Sequence, residues 1–493
     1  MKVLFLYSNQ NRYLLPVPPV GLGYVATATR RAGHEVRFLD MLMARRPLEK
    51  LGEELRSFRP EVIAVSVRNI DSTLMQDQGW EVERIGRELM PALRRDSKAP
   101  VILGGPAISI LGPEVFRTIP ADYAILGEGE QALPELLEQL ASGTPPAGPG
   151  LLVSGQDAPS STGIRRLSEF SGSGLEDWID WRAYERGGGT WALQTKRGCP
   201  MSCIYCSYPQ IEGRHTRFRD PRDVVDEIER VTERCGPRTF EFIDSTFNLP
   251  PSHAISVCEE IIRRRLKVRL AAMGLHPAGL TRELLDAMRE AGFVAMMITP
   301  ETVSPLMLEK LGKGFTVEQV EQAVELARDS RIASAWFFLL GGPGETMETV
   351  EQSVRFAEKR LDWRNCLAIF MTGLRILPHT QLAEIATREG VLEPGQTFSR
   401  PLYYLSPGVT EGAIIRRLNQ ASRRNPGIVQ AAEEGKSRSE RLFYQILRLV
   451  RAAPPRWRFL PRFLRAQPIA FLRGRFPLIN PGHGEPVAGS AGP

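Results

Sequence analysis

The sequence predicts a multidomain α/β protein: first a doubly wound parallel sheet, then a partial (β/α)6 barrel, then a mostly helical C-terminal region. Three observations predict it. Short apolar runs alternate with amphipathic stretches through residues 1–145. The alternation resumes at Trp191 and continues to about Ala386. After residue 400, Pro and Arg rise and strand alternation stops. Alternation of this kind implies parallel strands joined by helical crossovers. The 493 residues suffice for about three domains at ~150 residues each.

In the first unit, Lys2–Tyr7 reads as a buried strand and Val20–Ala32 as a helix that Gly33 ends. Glu35–Leu39 is a second strand, Leu48–Phe58 an amphipathic helix and Val62–Val67 a third strand. Trp80–Arg95 is helical, Val101–Leu103 a strand that ends in Gly104-Gly105-Pro106, and Tyr123–Leu126 a strand that ends in Gly127-Glu128-Gly129-Glu130. Gln131–Leu140 closes the unit, which has a Rossmann-like pattern. Residues 146–190 are rich in Gly, Ser and Pro and read as a linker.

The barrel spans 191–386. Its strands read at Ala192–Lys196, Phe240–Asp244, Arg269–Ala272, Val294–Ile298, Ala335–Leu340 and Leu367–Leu374. Six units are too few for a closed eight-fold barrel, so one side stays open. Residues 387–493 form the basic C-terminal helical region, with a disordered tail.

Six cysteines occur, and three of them crowd into eight positions. A secreted disulfide framework has a denser pattern. The apolar N-terminal run is too short for a signal segment, and no stretch of 18 apolar residues exists. A reducing cytoplasm fits these features.

Lys196-Arg197-Gly198-Cys199-Pro200-Met201-Ser202-Cys203-Ile204-Tyr205-Cys206 has C-x3-C-x2-C spacing just after a strand. Soft thiolates suit iron–sulfur clusters or zinc. A closed zinc site wants a fourth ligand, and His215 and Cys235 are not at knuckle spacing. Three ligands on a cubane leave one iron open to chelate a small molecule.

Placed after the first barrel strand, this motif resembles that of the radical S-adenosylmethionine (SAM) superfamily. The resemblance implies a [4Fe–4S] cluster on Cys199, Cys203 and Cys206, with SAM on the open iron, cleaved to a 5′-deoxyadenosyl radical. It also implies SAM contacts at Tyr205, at Asp244 and Ser245 in place of Gly-Gly-Glu, at Glu301, at Gly341 and Gly342, and at Arg375. All but Tyr205 stand at strand carboxyl ends, where barrel chemistry belongs. A carboxylate at such a place can also be a helix N-cap, and Gly-Gly-Pro-Gly can be only a turn.

A doubly wound first domain can bind nucleotide, flavin or cobalamin. The first loop reads Ser8-Asn9-Gln10-Asn11-Arg12-Tyr13, so the dinucleotide glycine pattern is missing. With its position before this barrel, the domain looks like the cobalamin-binding domain of class B radical SAM enzymes. The resemblance covers residues 1 to about 385. It implies cobalamin contacts at Gly21, Arg68, Asn69, Gly104, Gly105, Gly127, Glu128 and Gly129. The Asp-x-His-x-x-Gly pattern is missing as well, since the first histidine is His34. The lower face of cobalt is therefore left to the loop of Arg68 and Asn69.

The implied function is methyl transfer to an unactivated carbon of a small-molecule, natural-product or lipid substrate. An electron donor such as flavodoxin or ferredoxin would be its partner. Cyclisation or rearrangement on the same scaffold is the alternative, and a non-catalytic cobalamin or iron–sulfur sensor a third reading. Residues 436–476 hold eleven Lys or Arg and one acid, although the whole chain is only +6. Trp457 and several Phe and Leu residues interleave with them. Such a segment either lies on an anionic membrane surface or caps the barrel with its arginine stems over apolar surface. No nucleic-acid module accompanies the charge.

Overall fold

The computed structural model describes residues 1–10, 15–72, 74–75, 81–156, 163–398, 400–431 and 438–466, with no side chains for 438–441. The expected tail from 467 onward, with Phe471, Leu472 and Phe476, lies outside the described residues, as do Trp80 and Lys436.

Six strands build the first sheet: β1 (Lys2–Tyr7), β2 (Glu35–Asp40), β3 (Val62–Ser66), β4 (Val101–Gly104), β5 (Tyr123–Ile125) and β6 (Leu151–Val153). Their order is β2-β1-β3-β4-β5-β6, and only the last pair is antiparallel. Val3, Leu4, Phe5 and Leu6 are fully buried, as a strand covered on both faces requires. Val3, Phe5 and Tyr7 join a core that continues into the barrel, while Leu4 and Leu6 face a separate core on the other side. The strand order reverses direction between β1 and β3, so the crevice opens beyond their carboxyl ends.

The segment expected as a linker is structured. It supplies β6, a turn at Leu175–Asp177 and a helix at Trp181–Gly187. Trp181 stacks on Tyr184 and meets Trp191 edge-on, so these aromatics tie the segment to the barrel. The Gly, Ser and Pro content hid three buried anchors, Leu175, Trp181 and Tyr184.

The barrel region adds β7 (Trp191–Leu193), β8 (Lys196–Arg197), β9 (Arg217–Phe218), β10 (Phe240–Phe242), β11 (Leu270–Leu275), β12 (Phe293–Glu301), β13 (Ala333–Leu340), β14 (Cys366–Thr372), β15 (Leu374–Ile376), β16 (Leu402–Tyr404) and β17 (Ile428–Gln430). Seven of these form one parallel sheet in the order β17-β14-β13-β12-β11-β10-β7, open between β17 and β7. The expected run Leu367–Leu374 is two elements, because Gly373 at φ +78° turns the chain into β15. The seventh strand, β17, lies beyond residue 386, in the region expected to lack strands; the helix Glu411–Arg424 delivers it to the sheet edge.

The last described helices close the bottom of the barrel. Leu460, Trp457, Phe463 and Phe443 pack with Ala335 and Leu367. Thr239 Oγ1 donates to the Pro454 carbonyl at 2.6 Å, and Arg465 Nη1 to that of Cys366 at 3.2 Å. Both barrel residues lie at the amino ends of strands, so this region is a cap on the face opposite the cysteines. One apolar face stays uncovered on the helix Arg438–Leu449 and the residue after it: Leu442, Ile446, Leu449 and Val450 are exposed.

Candidate active site at the carboxyl ends of the barrel strands

The loop after β8 carries the three cysteines. Gly198 starts it at φ +97°, where a Cβ would fall 2.1 Å from the His215 carbonyl oxygen, so only glycine lets the two segments approach. Cys199 N donates to Gly213 O, Cys206 N to Cys203 O and Ile204 N to Leu311 O, at 3.0, 3.1 and 3.2 Å. Cys199 is buried and the other two half-buried. Burial pushes the Cys206 thiol up to about 12, with Cys203 and Cys199 adding to the rise. Burial raises the Cys203 thiol as well, against the pull of the Lys313 ammonium. The three sulfurs thus share one electrostatic site, although among the described residues no three ligand side chains already stand in a metal-holding set. A thiol that binds metal gives up its proton, so metal binding must reverse these shifts. An all-thiolate donor set of three, on one glycine-started loop, fits an iron–sulfur cubane.

Beside this loop a polar cluster forms. Tyr205 Oη donates to Glu301 Oε1 at 3.1 Å, and Lys313 Nζ donates to Tyr205 Oη at 3.2 Å and lies 3.5 Å from Glu301. Burial and the Glu301 carboxylate keep the Tyr205 phenol protonated and hence a donor. Glu301 takes φ +67°, a strained backbone for a side chain with a Cβ. Gly312, at φ +66°, presses on the Ser202 carbonyl and brings Lys313 to the cysteine loop. Nothing in the sequence singles out Lys313, because its partners Tyr205 and Glu301 meet it only in the fold.

His276, which follows β11, escaped sequence reasoning because a lone histidine carries no pattern. Its main chain is clamped by a reciprocal pair of hydrogen bonds with Asn248, each 2.8 Å, and its ring meets Phe315 edge-on.

Other expected SAM contacts are engaged within the protein. Asp244 accepts from Thr195 N and Oγ1 and from Lys196 N at 2.8, 2.7 and 3.3 Å, so both its oxygens brace the strand that leads to Cys199. Ser245 Oγ donates to Gly198 O at 3.1 Å. Gly341, at φ +98°, donates to Glu345 Oε2 at 3.0 Å, and Gly342 backs onto Met307 and Leu311. Arg375 turns to Asp71 of the first domain, with Nε–Oδ2 at 2.6 Å.

In the first domain, the crevice lies where the strand order reverses. Gly105, at φ +104°, would place a Cβ 2.7 Å from the Val67 carbonyl oxygen, which packs the turns after β3 and β4 together. Among the described residues, a Cβ at Gly21 or Gly104 would meet nothing within 4 Å. Arg68 Nη1 donates to Asn69 Oδ1 at 2.9 Å. The loop after β3 meets the barrel through Asp71, which pairs with Arg375 at 2.6 Å, and Ile211, in the helix after Cys206, packs on the core of the first domain. An open crevice with small residues on its rim, turned toward the barrel mouth, fits a flat macrocycle. The turn after β5 differs from expectation. A Cβ on Gly127 would strike Ile164 at 2.3 Å, Gly129 packs on Val25, and Glu128 is bound by Arg217 and Leu167. Glu128 thus joins the barrel through Arg217, Gly127 lies against the segment before the barrel, and Gly129 packs inside the first domain.

Residues 193–357 match the Radical SAM superfamily and residues 11–137 the B12 binding domain. The chain is 26% identical over 349 residues to an uncharacterised methyltransferase of Pyrococcus horikoshii, covering 69% of this chain and 73% of that one. It is 28% identical over 386 residues to the anaerobic magnesium-protoporphyrin IX monomethyl ester cyclase of Cereibacter sphaeroides, covering 75% of this chain and 61% of the cyclase. Among solved structures, the radical SAM methyltransferase TsrM from Kitasatospora setae, with cobalamin and a [4Fe–4S] cluster bound, superposes with a TM-score of 0.79 at 25% identity. That match covers 94% of this chain and 97% of TsrM.

A cobalamin domain set before a three-cysteine barrel defines an enzyme that works with a [4Fe–4S] cluster, SAM and cobalamin. The first domain thus matches the B12 binding domain and the barrel the Radical SAM superfamily, the pairing present in cobalamin-dependent radical SAM methyltransferases such as TsrM.

Proposed function

We propose that this chain methylates an unactivated carbon of a natural product or lipid where the cysteine loop and the β1–β3 crevice come together. The observation that carries this reading is the packing of Ile211, in the helix after Cys206, on the core of the first domain, together with the Asp71–Arg375 pair at 2.6 Å, which set the loop after β3 beside the barrel mouth. When bound, the cofactors supply a 5′-deoxyadenosyl radical for hydrogen abstraction and a methyl group for transfer. Cys199, Cys203 and Cys206 hold the cluster. Tyr205, Glu301 and Lys313 form the polar wall beside it, where a donor phenol, a carboxylate and an ammonium can orient the charged end of SAM. Asp244 and Ser245 position the cysteine strand and loop. Gly21, Gly104, Gly105, Arg68 and Asn69 border the macrocycle. The barrel cap excludes water from below, which protects radical chemistry from quenching.

Electrons come from a small reduced carrier such as flavodoxin or ferredoxin. The exposed face of Leu442, Ile446, Leu449 and Val450, flanked by Arg448 and Arg451, rests on an anionic membrane surface. Among the described residues no helix is long and apolar enough to cross a membrane.

The test is anaerobic reconstitution. The protein should hold about four irons per chain, and Cys199→Ala, Cys203→Ala and Cys206→Ala should each abolish the cluster. Cys235→Ala, Cys258→Ala and Cys366→Ala should keep it. Extract from cells that lack the gene, supplied with trideuteromethyl SAM and this protein, should yield a product that carries the label. Release of 5′-deoxyadenosine with a changed but unlabelled product would favour ring formation or rearrangement, the reading that the cyclase likeness suggests.

A further inference from the structure

Arg375 lies on β15, on the barrel side of the seam with the first domain, and is 7% exposed. Its donors are unevenly used. Nε donates to Asp71 Oδ2 at 2.6 Å, and Nη1 donates to the carbonyls of Ile376 and Leu402, the latter at 3.0 Å. Nη2 is buried and, among the described residues, has no hydrogen-bond partner. Nitrogens of Arg197, Arg219 and Arg458 are also buried without a hydrogen bond, but only Arg375 stands against the loop after β3, where a bound ligand can supply the missing acceptor.

The place is specific. Asp71 belongs to the loop after β3, which also carries Arg68 and Asn69. One step before β15, Gly373 takes φ +78°, and a Cβ there would fall 2.6 Å from the Met75 sulfur. The turn from β14 into β15 is therefore pressed onto the loop that borders the β1–β3 crevice. Sequence reasoning put Arg375 with the SAM contacts, but its strongest bond runs to the other cofactor's domain.

We propose that Arg375 is the barrel's own contact to cobalamin: Asp71 orients the guanidinium, and Nη2 donates to a carboxamide oxygen on the corrin rim. A guanidinium suits this task because its fork can hold Asp71 on one edge and a second acceptor on another, which a lysine ammonium cannot do at both places.

The experiment uses the full chain, reconstituted anaerobically, as wild type, Arg375→Lys, Arg375→Gln and Asp71→Asn. Hydroxocobalamin affinity is read by absorbance titration and by retention through gel filtration. Iron content is measured on the same samples, and SAM binding by its effect on the paramagnetic resonance signal of the reduced cluster. Both Arg375 variants should bind hydroxocobalamin about ten-fold more weakly or worse, the effect of losing a charge-assisted hydrogen bond. Iron content and the SAM effect should match wild type. Asp71→Asn keeps an acceptor oxygen for Nε and should show a smaller loss. Cobalamin affinity within two-fold of wild type in both Arg375 variants would overturn the proposal. So would weakened SAM binding with cobalamin intact, which returns Arg375 to SAM, or a joint loss of iron and cobalamin, which marks a structural brace. A wild type that fails to retain hydroxocobalamin would refute the cofactor assignment itself, and this inference with it.

Discussion

His276 shows how one residue ties the site to the stability of the fold. Burial, reinforced by the Lys313 ammonium, holds its pKa at about 4, below the ordinary value of 6.5. Between those two values the unfolded chain binds more protons than the folded one, so stability rises with pH across that window. The contribution is complete above pH 6.5 and is lost as the pH falls through 6.5 toward 4. A tenfold difference in proton affinity between the folded and unfolded chain is worth about 1.4 kcal/mol, so acidification from pH 6.5 to 5 costs the fold up to ~2 kcal/mol at this residue. The cofactor-free protein should therefore melt at a lower temperature at pH 5 than at pH 7, and His276→Gln should flatten that dependence. Identical pH slopes for the two proteins would show that His276 does not titrate this way. The cysteines were legible from spacing alone, because cluster chemistry demands three thiols on one short loop. The partners of Asp244 and Arg375 were not, because Thr195 and Asp71 meet them across 49 and 304 residues of chain. A side chain at a strand end looks equally free whether it faces a ligand or a distant neighbour.

At the scale of elements, long buried strands announced themselves, whereas two short edge strands, β6 and β17, did not. β13 and β14 carry eight and seven residues in near-continuous apolar runs. β6 and β17 have three each, at sheet edges, where one neighbour fewer demands less of the sequence. The basic C-terminal region was legible as amphipathic but not as to which face meets the barrel, since arginine stems and apolar side chains serve either surface. The structure divides the work: Trp457, Leu460 and Phe463 pack under the barrel, and Leu442, Ile446, Leu449 and Val450 face outward. Two substitutions separate these roles. Leu460→Ala should destabilise the protein by about 2–4 kcal/mol, seen as a lower melting temperature, with vesicle binding unchanged. Leu449→Glu should leave the melting temperature alone and abolish flotation with anionic vesicles, where each nearby Arg contributes ~1 kcal/mol and salt screens within ~8 Å. A full-length protein that ignores anionic vesicles at low salt would rule out the membrane contact and favour a water-soluble substrate.

At the scale of the whole molecule, the geometry that matters is the placement of the cobalamin crevice over the cysteine loop, and charged residues at the seam hold it. Arg197, two residues before Cys199, lies 2.7 Å from Glu130 and 3.5 Å from Glu128, and Arg217 meets Glu128 at 2.6 Å. The Arg197 guanidinium also stacks on Tyr24 and Phe170, with centroid distances of 4.5 and 4.3 Å. Burial pushes the Glu128 carboxyl up, but the hydrogen bond from Arg217 and the Arg197 charge outweigh it and hold the group below the ordinary carboxylate range. Such a pair adds little over a well-packed apolar substitute, yet breaking it strands a buried charge at about 3–5 kcal/mol. Arg197→Met leaves Glu130 and part of Glu128 uncompensated next to the strand that sets Cys199. The variant should lose iron more readily than wild type. In calorimetry of the cofactor-free protein, one joint transition should split in two, with the first domain melting apart from the barrel. Adding Glu130→Gln removes the stranded charge and should restore part of the lost stability, because the cost came from the unpaired carboxylate more than from the missing bond. If Arg197→Met melts in a single transition at the wild-type temperature, the ion pairs are incidental, and the other seam contacts, such as Asp71–Arg375 and Ile211 on the first domain's core, hold the two parts in register.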